Sequence, residues 1–270
     1  MLGKYITRTL KPEISPAIGY LAAFTANDLL FDWESFTLPQ GGNRLVGATA
    51  VIRSNDGADQ ICPMDLFFAK NALNMGDIAD GTAPVSMGTQ HADPTINPAN
   101  AYWDQIIGHS QLTADNFSTA GANEGGFTVG TTGYHASTGA TAGLTGQSPL
   151  IFEDYGSGLA DSEGFFTYYV GATAIGTPNF DSNVAFASGT GNDITVDGTD
   201  ARKILAPGDR IKAYDASEDD GTIIDIGTVG TIPDATSVLL AAGASSAATL
   251  TDGDLIFNIN PIKLILTFER

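Results

Sequence analysis

The stretch IKLILTF at residues 262–268 decides how the chain is expected to fold. Successive side chains of an extended backbone alternate between two faces, which places Ile262, Leu264 and Leu266 together on one face. The opposite face carries a further isoleucine, so the strand is too apolar to lie alone in solvent. We expect it to pair with strands from the beginning of the chain, which would make the preceding residues an insertion. The alternative is two domains in simple tandem.

A second strong strand is predicted at residues 165–175. Aromatic and β-branched residues favour a pleated, half-buried surface, and this segment has many of them. Phe166, Tyr168 and Val170 share one face, while their neighbours share the other. The segment therefore belongs to a sheet with at least one buried side.

Shorter period-2 segments fill much of the first half of the chain. Residues 29–53 alternate on both sides of a Pro- and Gly-containing turn, which predicts a β-hairpin. Residues 65–69 predict a third strand, and a short helix is expected near Leu73. Residues 118–148 are almost wholly Gly, Ala, Thr and Ser, a composition typical of long loops or weak strands.

The pattern changes after Pro178. Short alternating segments, separated by turn residues, occur at 194–196, 209–214, 222–229, 236–240 and 255–257. Strands of this length and spacing predict a small β-barrel. We therefore expect an all-β protein in which residues 1–179, completed by 260–270, form a jelly-roll-like β-sandwich domain. Residues 180–259 would be the small β-barrel domain, inserted or appended.

The charge balance excludes some classes of partner. The chain has 31 acidic and 12 basic residues among 270, a formal net charge of −19. Binding to nucleic acid requires a basic footprint, so we expect no nucleic-acid partner. No apolar run approaches the roughly 20 residues that span a bilayer, so we expect no membrane partner. With 43% hydrophobic residues, the chain has enough apolar surface to fold.

No motif for catalysis or for a cofactor is found. The phosphate-binding loop, zinc-protease helix and nucleophile-elbow patterns are all missing from the sequence. His91, His109 and His135 have no second histidine or cysteine close by in sequence, as a metal site would need, and are expected to be loop imidazoles. Cys62 is expected to be a small buried side chain. We predict no enzyme activity, no catalytic residues, no metal and no cofactor.

Acidic clusters suggest two weaker hypotheses. Carboxylate pairs at 153–154 and 161–163 lie near aromatic residues, as a glycosidase would require, but such proximity is common in so acidic a chain. The segment at 215–221 is rich in acids, yet the EF-hand positions for calcium are not matched around Gly221. We favour a charged hairpin tip, with a weak calcium site as the alternative.

The basic residues are distributed unevenly. From 71 to 201 there is no lysine or arginine and there are 14 acids, whereas Lys4, Tyr5, Arg8 and Lys11 lie in a short N-terminal segment with few acids. One interpretation is an arm that adds to, or lies across, a neighbouring subunit. The other is an ordinary strand with exposed charges. We take these four residues as the candidate partner-binding residues.

Two stretches resemble structural proteins of tailed-bacteriophage virions. The first runs from ISPAIG at 14–19 through FDW at 31–33 to LP at 38–39 and GNRL at 42–45. It resembles the opening of structural proteins from marine phages. The second comprises PGDRI at 207–211, IGTV at 226–229 and IPDATSVLL at 232–240. It is similar to a small β-barrel module that recurs in phage virion proteins.

The resemblance implies a structural component of the virion, made in the host cytoplasm. The expected function is that of a decoration or cement protein, which binds the outside of the capsid and stabilises the shell. Its partners would be the major capsid protein or other virion proteins, and a homo-oligomer, preferably a trimer, is expected. The alternatives are a tail, neck or baseplate component, or a carbohydrate-binding adhesin that uses Tyr102, Trp103 and Tyr134.

Overall fold

In a computed structural model of the chain, the backbone of most residues is described. The described residues are 5–14, 23–53, 61–73, 78–94, 103–118, 127–133, 150–153, 160–178, 180, 183–214, 223–241 and 250–270. The strands of the first part are β1 (Tyr5–Leu10), β2 (Leu29–Pro39), β3 (Asn43–Arg53), β4 (Met64–Lys70), β5 (Ile106–Leu112), β6 (Phe117–Ser118), β7 (Phe127–Gly133), β8 (Ile151–Phe152) and β9 (Phe165–Ala174). The later strands are β10 (Asn183–Thr190), β11 (Asp193–Asp197), β12 (Arg210–Tyr214), β13 (Ile223–Thr231), β14 (Ser237–Leu240), β15 (Leu255–Asn258) and β16 (Ile262–Glu269).

Two antiparallel sheets form the sandwich. Within the described residues, one sheet has the order β1-β16-β3-β7-β6, with β8 also paired to β3, and the other has the order β2-β9-β4-β5. If the eight long strands are renumbered along the chain, these orders are 1-8-3-6 and 2-7-4-5. That arrangement is the jelly roll, in which two Greek keys wrap around each other. The predicted all-β, jelly-roll-like fold class is therefore confirmed.

Strand β16 completes the first sheet. It pairs with β1 on one side and with β3 on the other, so Leu264 lies opposite both Leu10 and Ala50. Its alternating face, Ile262, Leu264 and Leu266, is buried, as the period-2 pattern of the strand predicts. The chain thus leaves the sandwich after β9, forms β10 to β15 and returns as β16.

Aromatic rings fill the space between the two sheets. Phe152 lies at the centre of this core, with ring centroids 5.5 Å from Phe68, 5.2 Å from Tyr168 and 5.1 Å from Phe268. All three contacts are edge-to-face, the geometry that aromatic quadrupoles favour. Because these rings come from both sheets, their burial holds the sheets together.

The inserted strands close into a barrel. In the described residues each strand pairs with two neighbours, in the order β10-β11-β14-β13-β12-β15 and back to β10. The core of the barrel is mainly aliphatic, with Phe186 as its aromatic member. A short helix, α1 (Ala201–Ile204), lies between β11 and β12, and its N-terminus is capped by the Asp200 carboxylate, which accepts from the Arg202 N–H. Sequence periodicity did not predict this single turn.

The hairpin predicted at residues 29–53 is wrong. β2 pairs with β9 and β3 pairs with β16 and β7, so the two strands lie in opposite sheets. The turn between them crosses from one sheet to the other: Gly41 has φ +104°, and Asn43 Nδ2 donates to the carbonyls of Pro39 and Gly41. Both strands have long apolar faces, and each finds a better partner far away in sequence than its neighbour.

The other local predictions have mixed outcomes. The strand at 65–69 is confirmed as part of β4, and β7 lies within the stretch expected to be loops or weak strands. Residues 74–77, where the helix near Leu73 would continue, lie outside the described residues.

Candidate functional site: the first strand and the domain junction

The predicted partner-binding segment is a strand at the edge of the sandwich. Among the described strands, β1 pairs with β16 alone. Ile6 and Leu10 pack against the sandwich core, whereas Tyr5 on the other face is 57% exposed. The strand alternative therefore describes residues 5–10, and a contact between these residues and a partner stays a prediction.

Arg8 belongs to the inward-facing row of β1 and is held within the molecule. Its Nε donates to the carbonyl of Thr37 on β2 at 2.5 Å, and its Nη1 donates to the carbonyl of Thr7 at 3.1 Å. β1 and β2 are edge strands of the two sheets. The Arg8 guanidinium therefore connects the two sheets along one edge of the sandwich. An inward-pointing charge is one of the ways in which proteins protect an exposed sheet edge.

Lys11 follows β1 directly and binds the barrel. Its Nζ lies 2.6 Å from Asp209 Oδ1, and the Asp209 side chain is only 4% exposed. Asp209 Oδ2 accepts from the N–H of Ala206 at 2.9 Å and from Asn258 Nδ2 at 3.1 Å. A carboxylate buried this deeply is stable only with such partners. Lys4, the remaining predicted residue, lies outside the described residues.

A second ionic cluster joins the same two domains. The Glu13 carboxylate binds Lys212 Nζ at 2.6 Å and Arg210 Nη1 at 3.1 Å, and Arg210 also binds Asp225 at 2.6 Å. These side chains are partly exposed, so each pair contributes little by itself. Together they fix the position of the segment after β1 relative to β12 of the barrel.

Backbone and amide hydrogen bonds reinforce this junction. The Ile14 N–H donates to the carbonyl of Ile259 at 2.7 Å, and Asn260 Nδ2 donates to the carbonyl of Lys11 at 2.9 Å. The N–H of Arg53, at the end of β3, donates to the carbonyl of Pro261 at 2.9 Å. The short link between barrel and β16 is therefore anchored from two sides.

A cleft of about 270 Å³ lies beside the junction. The described residues that line it are Lys11, Val51, Arg53, Ala206, Pro207, Asp209, Asn260, Pro261 and Lys263. Val51 and Lys263 are register partners on β3 and β16, so the outer face of the first sheet forms the floor of the cleft. The turn before β12 forms its wall.

One acid near the junction has a perturbed affinity for protons. The pKa of Glu34 on β2 is raised, first by burial and then by the nearby negative charges of Glu13 and Asp32, while a hydrogen bond from the Glu13 backbone opposes the rise. Ionised Glu34 is thus a slightly unfavourable group in the folded protein.

The described histidines, His91 and His109, and the cysteine Cys62 lie in separate surroundings. His91 stacks on Phe24 with ring centroids 3.7 Å apart, and burial lowers its pKa although Asp28 opposes this. His109, on the edge strand β5 of the second sheet, lies beside Phe67. Cys62 is buried, and burial raises the pKa of its thiol. His135 lies outside the described residues.

The acidic and aromatic candidates have structural partners where they are described. Asp161 Oδ1 accepts from the N–H groups of Glu163 and Phe165, which shapes a turn before β9. Tyr168 donates to the carbonyl of Glu153. Asp154, the 215–221 segment, Tyr102 and Tyr134 lie outside the described residues, and the side chain of Trp103 is not described either.

Over the described residues, no group of three or more His, Cys, Asp or Glu side chains is arranged to hold a metal ion. In that same part of the chain, no helix is long and apolar enough to cross a membrane. No protein-family model matches the chain, and no curated protein matches it.

Apart from Lys11, sequence reasoning missed the residues of the cleft. Arg53 and Lys263 are separated by 210 positions and by a whole domain, so no local motif connects them. The sequence feature that could have indicated the cleft is the PGD turn at 207–209, whose acid lies directly before strand β12.

Proposed function

We propose that this protein is a structural component of a phage virion that binds the outside of the capsid as a decoration or cement protein. The proposal begins from the two stretches that resemble phage virion proteins. The observation that carries it is the edge strand β1, whose inward row is anchored in the core while Tyr5 on its outward row is exposed.

An anchored edge strand suits adhesion. Its backbone is already extended and ordered, so a partner can contact the exposed side chains of Tyr5, Thr7 and Thr9 without a large loss of conformational entropy. The chain is strongly acidic, whereas the exposed row of β1 carries no acid, so attachment through this row meets little charge repulsion. We further propose a homo-oligomer, with a trimer favoured, because repeated weak contacts on a symmetric shell add through avidity.

The test uses preassembled empty shells of the phage that carries the protein. The full chain is expected to co-sediment with the shells in a saturable way. Thr9→Glu on the exposed row of β1 is expected to weaken this binding at least tenfold, because the contact would have to bury an unpaired carboxylate. Thr195→Glu, an equally exposed strand threonine on the barrel, is the matched control and should bind as the unaltered chain does.

The alternatives give different results. Binding to tail assemblies with no binding to shells would replace decoration by a tail, neck or baseplate role. Saturable binding on a glycan array together with indifference to shells would support the adhesin. A monomer in analytical ultracentrifugation at micromolar concentration would contradict the proposed oligomer.

A further inference from the structure

We propose that the cleft at the domain junction binds a small oxyanion, of the phosphate or carboxylate class. The site is independent of the capsid-binding proposal and consists of different residues from the exposed row of β1. Clefts between domains are common positions for ligand sites.

The charge of the cleft is opposite to that of the molecule. Three cations line it, Lys11, Arg53 and Lys263, against one carboxylate, Asp209. The described lining therefore has a net charge of 3 − 1 = +2, in a chain whose formal charge is −19. Charges beyond about 8 Å are largely screened at physiological ionic strength, so this local balance decides which ions are attracted.

The carboxylate of the cleft is already occupied. Both Asp209 oxygens have donors within the protein, from Lys11, Ala206 and Asn258, and Arg53 Nη1 lies 3.7 Å from Oδ2. The nearby acid Glu13 is held in the same way by Arg210 and Lys212. Lys11 and Arg53 thus share the Asp209 carboxylate, whereas Lys263 has no ion pair among the described residues and faces an incoming anion.

Lys263 is the group best placed to hold the anion. It projects from the outer face of β16 into the cleft, its side chain is exposed, and no ion pair to it is found among the described residues. On the neighbouring strand β3, Arg53 has the same outward parity as Val51, which is the register partner of Lys263. Two cations of the floor are therefore brought together by strand register alone.

The walls and the size of the cleft favour a small ligand. Val51, Ala206, Pro207 and Pro261 supply apolar surface, which lowers the local dielectric and strengthens charge–charge attraction. A volume of about 270 Å³ is below the roughly 300–1,000 Å³ of sites for drug-sized molecules. It has room for an oxyanion with several waters.

Isothermal titration of the full chain tests the proposal. Inorganic phosphate, sulfate and acetate are titrated separately at constant ionic strength maintained with sodium chloride. At least one of them is expected to bind saturably with one site per chain. Tighter binding of phosphate than of acetate would identify a dianion site, and the reverse would identify a carboxylate site.

Two matched variants locate the binding. Lys263→Gln should raise the Kd about tenfold, because one charge-assisted hydrogen bond to the anion is lost. Lys203→Gln on α1, which removes the same charge outside the cleft, should change the Kd by less than twofold. Circular dichroism checks that both variants are folded. The proposal is overturned if none of the anions binds saturably, or if the two variants weaken binding equally.

Discussion

The sandwich and the barrel have cores of different chemistry. The sandwich core is rich in aromatic rings, whereas the barrel core consists of Val, Ile, Leu and Ala with Phe186 as the exception. Two facing sheets lie about 10 Å apart, a gap that rings fill efficiently. A small closed barrel encloses much less space, which branched aliphatic side chains fill. Geometry, rather than overall hydrophobicity, separates the two cores.

The two domains also differ in the chain that builds them. The barrel strands come from one continuous segment, residues 183–258, while the sandwich needs both β1 and β16. The barrel therefore closes with pairings at most 74 positions apart, as between Asn183 and Phe257, whereas β1 and β16 pair across up to 264 positions. Loop closure makes such long-range pairing slow. We expect the barrel to be the more autonomous of the two.

The largest predicted effect separates the domains completely. Leu264→Asp places a charge in the buried face of β16, which should cost more than about 5 kcal/mol and unfold the sandwich. The barrel should stay folded, because Leu264 belongs to none of its strands and packs in the sandwich core. Two-dimensional NMR spectra of the barrel residues measure this directly. Thr267→Asp, on the outward face of the same strand, is the control and should leave both domains folded.

Loss of the barrel signals in Leu264→Asp would contradict the autonomy of the barrel. It would mean that the barrel requires the sandwich as a platform.

A pair of ring deletions sharpens the comparison of the cores. Phe152→Ala removes a ring in contact with several others from both sheets, and Phe186→Ala removes the aromatic member of the barrel core. Each should lower the free energy of unfolding by about 4 kcal/mol. In differential scanning calorimetry, the first should shift the sandwich transition and the second the barrel transition. Equal shifts of one single transition would show that the domains unfold together.

Substitution at the domain junction is expected to lower the free energy of unfolding by less than the loss of a core ring does. Asp209→Asn replaces one carboxylate oxygen by an amide NH2 group, which cannot accept a hydrogen bond, so at least one of the donors Lys11, Ala206 and Asn258 loses its acceptor at this buried position. The variant should be destabilised by about 3 kcal/mol. Urea unfolding of the variant measures the loss. Asp225→Asn removes a partly exposed partner of Arg210 and serves as the control, with an expected loss below about 1 kcal/mol.

The smallest effect concerns Glu34, and it depends on pH. Because the folded-state pKa of Glu34 is raised, its contribution to stability is fully present below its ordinary pKa and is lost as pH rises through the folded value. Glu34→Gln should therefore stabilise the protein slightly at pH 7, by less than about 1 kcal/mol because the group is half-exposed. The gain should vanish near pH 4. Thermal melts at both pH values measure it, and an equal gain at pH 4 would exclude the burial and charge explanation.

Local alternation predicted the strands well because it records which side chains face a core. The buried face of β16 and the shared face of Phe166, Tyr168 and Val170 were both visible in the sequence. The partner of each strand was not visible. β2 and β3 look like a hairpin in sequence but lie in opposite sheets, since pairing depends on distant strands competing for the same edge.

The candidate site divides in the same way. Tyr5, Arg8 and Lys11 were found by their charge and position in the sequence, and the structure adds that Arg8 and Lys11 are bound within the molecule. Arg53, Asp209 and Lys263 carry no shared motif. They meet because the barrel is inserted before β16, which places the turn before β12 beside the outer face of the first sheet.

By itself the sequence determined that the chain is made of strands, which faces of those strands are buried, and that the molecule is strongly acidic. These properties follow from side-chain period and composition, which are local. Only the tertiary structure decided the distribution of β2 and β3 between two sheets and the position of the cationic cleft. Both are consequences of long-range pairing, whose free energy depends on every strand that could occupy the same edge.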